Sequence, residues 1–393
     1  MITILYVHTA STIGGASYAM LNVIRSLDRN KFRPVVLLQR NGPLVEELLD
    51  MKVEVFFLRS LNTVPYNECL FTTSNIARIY RILKSFKQFR LLLQKINPRI
   101  VYLNTMMLHP YLKIVKKYNF KSIIHIREHW PETEHVFQRN YAIQNIRKYA
   151  DEIIAINDYS ASMVADNTHT PTIVYDWINM SRRLKIVDLH AIFEEDCSNL
   201  RVYLCTGGYD PIKGTLEVIQ AFSEVIRNPD ARLLILGTRP KFPRDNFIKR
   251  LLKNNNEREY CQRLDNMIMA DKRIRIIPNT YFVTDFYRKA YCLLSYFKIP
   301  HANLALAENI IVGTPVIAAR TEESVEYSMN ENLAILFNAN DFNDFKCTLR
   351  RFDSDRPKLI DRLKIDSRLV EEMFDPATNI SKLTEVYHKV IHN

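Results

Sequence analysis

Short apolar or β-branched runs alternate along this chain with longer segments whose apolar positions recur at helical spacing, the pattern of consecutive βα units. In the first half the runs that predict strands are Ile2 to Val7, Pro34 to Gln39, Val53 to Leu58, Ile100 to Asn104, Ser122 to Ile126, Ile153 to Asn157 and Thr172 to Tyr175. In the second half they are Arg201 to Thr206, Ala231 to Gly237, Arg273 to Pro278, Cys292 to Ser295, Val316 to Ala319 and Ala334 to Phe337. Between the halves, MSRRLKIVDLHAIFEEDCSN is polar, mixed in charge and weak in strand signal. The pattern therefore predicts an α/β chain of two doubly wound, Rossmann-like domains, residues 1–180 and 200–370, joined by a linker over 181–199. Two such sheets are expected to face each other across a cleft at the carboxyl ends of their strands, where open α/β sheets bind ligands.

Composition adds limits. At 393 residues the chain exceeds one ordinary core, which agrees with two domains. Apolar residues at 47% and charged ones at 25% are those of a folded, soluble protein. The start MITILYVHTA enters a strand directly, without the lead of a secretory signal, and no apolar run approaches the ~20 residues of a spanning helix. The expected location is cytoplasmic. Cys69, Cys197, Cys205, Cys261, Cys292 and Cys347 form no C-x-x-C pair and read as reduced core cysteines.

The net charge of +11 is concentrated. Between Glu68 and Glu128 there is no acidic residue, and twelve basic ones occur. Within that stretch NIARIYRILKSFKQFRLLLQKI sets Ile79, Ile82, Leu83, Phe86, Phe89, Leu93 and Ile96 at helical spacing among Arg78, Arg81, Lys84, Lys87 and Arg90. This basic amphipathic helix, residues 78–96, suits an anionic membrane surface, which would make the protein peripheral on the inner face of the membrane. The plain alternative is a domain helix with a solvated cationic face. No nucleic-acid-binding motif accompanies the charge, and nucleic acid is not an expected partner.

Glycine is scarce, 8 residues in all, so its clusters carry weight. After the first strand, HTASTIGGAS places Gly14 and Gly15 before a helix pattern, where backbone amides and the helix start can receive an anion. The spacing is not that of a dinucleotide fingerprint. The second half opens with CTGGYDPIKGTLEVIQAF, in which Gly207, Gly208 and Lys213-Gly214 form a similar turn. A lysine there can neutralise a diphosphate as it leaves. Further on, SYFKIPHANLALAENIIVGTPVIAAR carries His301, Asn303, Leu304, Ala305, Leu306 and Glu308. The carboxylate can accept from two ribose hydroxyls, and the amides of 303–306 can meet phosphate or sugar oxygens. In SIIHIREHWPETEH, His125 and His129 have zinc spacing only on a helix, and the strand-like run before them with Pro131 after them predicts no metal site.

Taken in order, GGAS, His125, ADEIIAINDYS, VYDWIN, the Lys-Gly turn, ENIIVGTPVIA and FDPATNISKLTEVYHKV resemble family 4 of the retaining glycosyltransferases, the glycosyl transferases group 1, over nearly the whole chain. The resemblance implies the GT-B fold, with residues 371–393 as a closing helix that crosses back onto the first domain. It implies transfer of a sugar from a nucleotide diphosphate donor to an acceptor, with no cofactor and no divalent metal; the basic helix points to a glycan or lipid-linked acceptor, as in surface polysaccharide assembly. Lys213 would then bind the donor diphosphate, Glu308 the ribose, Gly15 the phosphates from the other domain, and His125 the sugar near the reacting carbon. Two positions depart from the family. Gly208 stands where a basic residue is usual, and Pro300 where a glutamate is usual. Arg239 or Lys298 are named as replacements for the missing cation. Two rival readings keep the same fold: a sugar-nucleotide epimerase, and a non-catalytic subunit that binds or scaffolds an active partner.

Overall fold

The computed structural model describes residues 1–393 except 13, 67, 179–185, 197, 198, 241, 243–255, 281, 301 and 393. The chain divides into two compact units, Met1–Trp177 with Phe374–Asn393, and Ile178–Met373. The first unit holds seven strands: β1 (Ile2–Val7), β2 (Phe32–Leu38), β3 (Glu54–Phe57), β4 (Ile100–Leu103), β5 (Lys121–Ile126), β6 (Glu152–Ala155) and β7 (Thr172–Ile173). Their order is β3-β2-β1-β4-β5-β6-β7, and every pairing is parallel. The second unit holds β8 (Arg201–Cys205), β9 (Ala231–Leu236), β10 (Ile274–Ile277), β11 (Cys292–Ser295), β12 (Val316–Arg320) and β13 (Ile335–Asn338). It is ordered β10-β9-β8-β11-β12-β13, again all parallel. Both sheets are doubly wound. The order reverses between β1 and β4 in one and between β8 and β11 in the other.

Each predicted run is a strand, with ends displaced by a residue or two. β2 starts at Phe32, ahead of Pro34, because Phe32 pairs with Ile2 at the start of β1. The runs are apolar throughout because both faces of each sheet are covered. Along β1 the side chains alternate between two cores. Leu5 and Val7 pack with Ile82, Phe89 and Leu93 of the helix Thr73–Ile96. Ile4 and Tyr6 pack with Met20 and Ile24 of the helix Gly15–Ser26 and with Leu383 and Tyr387.

Those last two residues belong to the final helix, Pro376–His392, which follows the long helix Phe342–Met373 and returns to the first sheet. Its buried face of Leu383, Val386, Tyr387 and Val390 completes that core. The Tyr387 hydroxyl meets the Tyr6 hydroxyl at 2.8 Å.

Three expectations change in detail. The basic helix begins earlier than residue 78, at Thr73, because the Thr72 hydroxyl caps the Asn75 amide at 3.2 Å. It ends where Asn97 turns left-handed at φ 46°. Within the expected linker lies a short helix, Leu189–Phe193, started by an Asp188 cap and pinned by buried Phe193; residues 181–185, 197 and 198 lie outside the described residues. The reading of all cysteines as core residues is corrected: Cys205, Cys261 and Cys292 are buried, but Cys69 and Cys347 are exposed. Neither exposed residue sits on a strand, the element that buries Cys205 and Cys292. Cys197 lies outside the described residues.

The returning helix should be a principal stabiliser of the first unit. Leu383→Ala, at a fully buried position, is expected to cost ~2–5 kcal/mol, measured as a lower urea midpoint for loss of the first unit's packing. A cost under ~0.5 kcal/mol would show that the helix does not carry this core.

Candidate functional site

At the carboxyl edge of the first sheet, each strand beside the reversal ends in a polar residue turned into a buried network. His8 follows β1, Asn104 follows β4, His125 and Arg127 close β5, and Asp176 follows β7. Arg127 anchors the set. Its guanidinium meets Asp176 at 2.5 and 2.6 Å, and its side chain is only 6% exposed. Removing either partner of such a pair strands a charge away from water, at ~3–5 kcal/mol.

The direction of every hydrogen bond in this network follows from what each group can donate. Arg127 Nε donates to Asn104 Oδ1 at 3.1 Å, so the Asn104 amide turns its NH2 to His8 Nδ1 at 3.3 Å and to the Ala16 carbonyl at 3.2 Å. His8 therefore carries its proton on Nε2 and donates to Ser17 Oγ at 2.9 Å. Ser17 in turn donates to the Thr12 carbonyl at 2.8 Å. The chain of bonds ends on the turn that carries Gly14 and Gly15.

The same logic sets His125. Its Nδ1 lies 3.2 Å from Arg127 Nη2, which can only donate, and beside the Tyr102 hydroxyl. The ring proton is thus on Nε2. That atom is buried and has no hydrogen-bond partner among the described residues. Burial first, and the Arg127 charge second, hold the imidazole far below its usual range and keep it neutral. His125 consequently presents one unspent N–H donor. It lies on a strand, and His129 beyond it stacks on Tyr159 at 3.5 Å, so the helical pairing that zinc spacing needs does not exist.

The glycine turn is open. Gly14 caps the helix Gly15–Ser26 with φ −120°, and a methyl group added at Gly14 or Gly15 would meet nothing within 4 Å. The fold itself does not require glycine here. Free space above the first amides of a helix is what an incoming anion needs.

In the second unit the turn after β8 is tightly locked. Gly208 has φ +55°, and a side chain there would strike Gly237 Cα at 2.7 Å. This backbone admits no basic residue at position 208, which accounts physically for the departure noted in the sequence. Gly214 has φ +63° and abuts the Tyr296 carbonyl, and Lys298 N donates to the Ile212 carbonyl at 2.8 Å. The Lys213 turn and the end of β11 are thereby fastened together across the reversal. Gly207 closes against Thr215 at the start of the helix Thr215–Val225.

Lys213, partly exposed on this turn, has no ion-pair or hydrogen-bond partner for its ammonium group among the described residues. The two cations named as replacements are both engaged: Lys298 with Glu217 at 2.7 Å, and Arg239 with Asp265 at 2.8 Å. Beyond β11, Asn303 caps the helix Leu304–Ile311 by accepting from Leu306 N at 3.3 Å, and it donates to Ser295 at 2.8 Å. Its side chain is consumed by structure. The amides of Leu304 and Ala305 start the helix and have no intrahelical acceptor. Glu308, 4% exposed, accepts from the Tyr287 hydroxyl at 2.8 Å. His301 lies outside the described residues.

The structure thus joins Lys213, Gly207, Gly208 and the 303–308 segment in one unit, and His125 with the Gly14-Gly15 turn in the other. Sequence reasoning missed His8, Asn104, Asp176 and Tyr287. The first three had a readable signal, a polar side chain at or just beyond the end of an apolar run, as in LYVH, VYLN and TIVYD. Tyr287 had none.

No protein-family model matches this sequence, and no curated protein sequence matches it. Solved structures do match in three dimensions. HepE of Anabaena, solved with UDP and glucose, superposes with a TM-score of 0.75 at 14% identity, covering 99% of this chain and 100% of that one. Sucrose-phosphate synthase of Thermosynechococcus elongatus has a TM-score of 0.75 at 12% identity over 100% of both chains. A glycosyltransferase of Rickettsia africae ESF-5 has a TM-score of 0.72 at 18% identity, covering 100% of this chain and 99% of that one. At such low identities the three-dimensional likeness establishes the fold alone. The chain has the GT-B architecture of two Rossmann-like domains.

The buried histidines make a pH prediction. Burial first pulls His8 down to about 4 and His109 down to about 3, with His125 lowered as well. Each folded value lies below the unfolded one near 6.5, so the neutral ring favours the fold. Their stabilisation is complete above pH 6.5 and is lost as pH falls toward 4, on the order of 3 kcal/mol for His8. Glu128, raised by removal from water, acts with the opposite sign but is one group against three. Urea unfolding at pH 7 and pH 4.5 is expected to show this loss, with a smaller loss in His109→Leu. Equal stability at both pH values would overturn it.

Proposed function

We propose that this chain is a retaining glycosyltransferase that moves a hexosyl group from a nucleotide diphosphate donor to a glycan or lipid-linked acceptor in surface polysaccharide or glycoconjugate synthesis. The observation that carries the reading is the ammonium group of Lys213, which has no ion-pair or hydrogen-bond partner among the described residues, on a turn locked against the end of β11 at the β8/β11 reversal, in the unit that also holds the helix start at Leu304. That arrangement suits a diphosphate. It is supported by the GT-B fold and by structural neighbours solved with UDP and UDP-glucose.

In this reading Lys213 and the amides of Leu304 and Ala305 take up the charge that develops on the leaving phosphate. Glu308, held by Tyr287, receives the ribose hydroxyls. Gly14 and Gly15 leave room for phosphate oxygens at a helix start, and His125 Nε2–H donates to a sugar hydroxyl. The bond from the anomeric carbon to phosphate breaks as the bond to the acceptor oxygen forms on the same face. The acceptor's proton passes to the departing phosphate, so no separate protein base is needed. With the charge met by an ammonium and by amides, the reaction proceeds without a divalent metal. The basic helix Thr73–Ile96 holds the enzyme at the cytoplasmic face of a membrane. Among the described residues no helix is long and apolar enough to cross one.

A screen of nucleotide sugars by thermal shift tests the donor site, since a bound ligand stabilises by mass action. Wild type is expected to be stabilised by a uridine diphosphate sugar, and Lys213→Ala to bind it at least about tenfold more weakly. No stabilisation by any nucleotide diphosphate sugar would sink the proposal. Gly15→Ala should leave stability unchanged or raise it by up to ~1 kcal/mol while weakening donor binding; equal donor affinity would remove Gly15 from the site. Turnover with acceptor, followed by anomeric NMR, should give retained configuration and should survive EDTA. Conversion of the sugar without acceptor would indicate an epimerase, and binding without turnover a scaffold.

A further inference from the structure

In the first unit an apolar groove with a volume of 260 Å³ lies among the helices Thr73–Ile96, His109–Lys117 and Val136–Tyr149. Its floor is formed by buried Ile82, Trp130 and Ala142. Its mouth is formed by Leu83, Phe137 and Tyr141, which remain 59%, 79% and 48% exposed. A dry apolar cavity of ~150 Å³ already accepts a benzene-sized guest, so this one has room for a length of hydrocarbon. Large apolar side chains exposed together around a recess mark a surface that gains by being covered.

The charge around the groove identifies what covers it. Lys113 lines the groove and, among the described residues, meets the Tyr141 hydroxyl at 3.3 Å and the rings of Tyr141 and Tyr149 without an ion pair. Among the described residues Arg78, Lys84 and Lys87 make no ion pair. Ile79, Leu83 and Lys87 follow one another at four-residue steps on one helix face, so an apolar row leads to a free cation. An apolar slot lined by Lys113, with exposed Lys87 one helical turn beyond Leu83, is complementary to an amphiphile with one hydrocarbon chain to insert and an anionic head to leave outside. A flat face would serve only for adsorption.

We infer that the groove takes one hydrocarbon chain of an anionic membrane lipid, whose phosphate lies against Lys113 and Lys87. The inference rests on the membrane contact proposed above and adds that the contact is made by inserting a chain rather than by lying on the surface. It does not depend on the donor site.

Trp130 in the groove floor is one of two tryptophans, the other being Trp177. A Trp177→Phe protein therefore reports on the groove alone. It is mixed with phosphatidylglycerol vesicles whose acyl chains do or do not carry bromine, a short-range quencher, and with brominated phosphatidylcholine vesicles. The expected result is sedimentation with phosphatidylglycerol, loss of Trp130 emission on the brominated form, and no comparable loss with phosphatidylcholine. Leu83→Asp and Phe137→Asp, added singly at exposed positions that the fold tolerates, are expected to restore the emission while far-ultraviolet circular dichroism stays unchanged. Sedimentation without loss of emission overturns the groove and leaves surface contact standing. Absence of sedimentation overturns both. Loss of emission that persists in both variants, or that is equal on phosphatidylcholine, also overturns the inference.

Discussion

Each sheet adds strands outward in one direction and then crosses back to extend the other edge, so two neighbouring strands send their following loops to opposite faces. The gap between those loops cannot be filled by the ladder. It must be lined by loop backbone, helix starts and whatever side chains terminate the strands. The candidate donor-site residues lie at or near these two reversals, β1/β4 and β8/β11.

The two reversals meet the constraint differently. In the first unit the strand ends are polar and buried, and a single ion pair, Arg127 with Asp176, orders the rest. Because a guanidinium only donates, it fixes the orientation of the Asn104 amide and the protonated nitrogens of His8 and His125. The network leaves one donor over, His125 Nε2. In the second unit the turn is built from backbone contact. Gly208 against Gly237 and Gly214 against Tyr296 bring chain segments so close that side chains are excluded, and Lys213 on the same turn has no ion-pair or hydrogen-bond partner among the described residues. A buried network resists rearrangement, and a glycine-locked turn leaves an ammonium group available; the first suits orientation, the second charge neutralisation.

The basic character of the chain has a local cause as well. The helix Thr73–Ile96 buries Ile82, Phe89 and Leu93 in the first core and packs Phe86, Leu92 and Ile96 against it, which leaves Leu83, Lys84 and Lys87 on the outside. An apolar recess and unpaired positive charge then occur side by side, which neither core packing nor solubility requires.

The sequence by itself determined the strands and their grouping into two sheets, because hydrophobic period and length are local properties of the chain, while the returning helix was expected only from the family resemblance. It also located the glycine turns, Lys213 and Glu308, since a turn between a strand and a helix is written in adjacent residues. Only tertiary structure decided which groups such residues meet. Asn104 and His8 are 96 positions apart, Arg127 and Asp176 are 49 apart, and no local pattern couples them. Gly208 read as a missing cation until Gly237, brought against it by the β8/β9 pairing, showed that position 208 has no room for a side chain. Hydrogen-bond direction, burial of charge and backbone contact are properties of neighbours in space, and the chain order does not contain them.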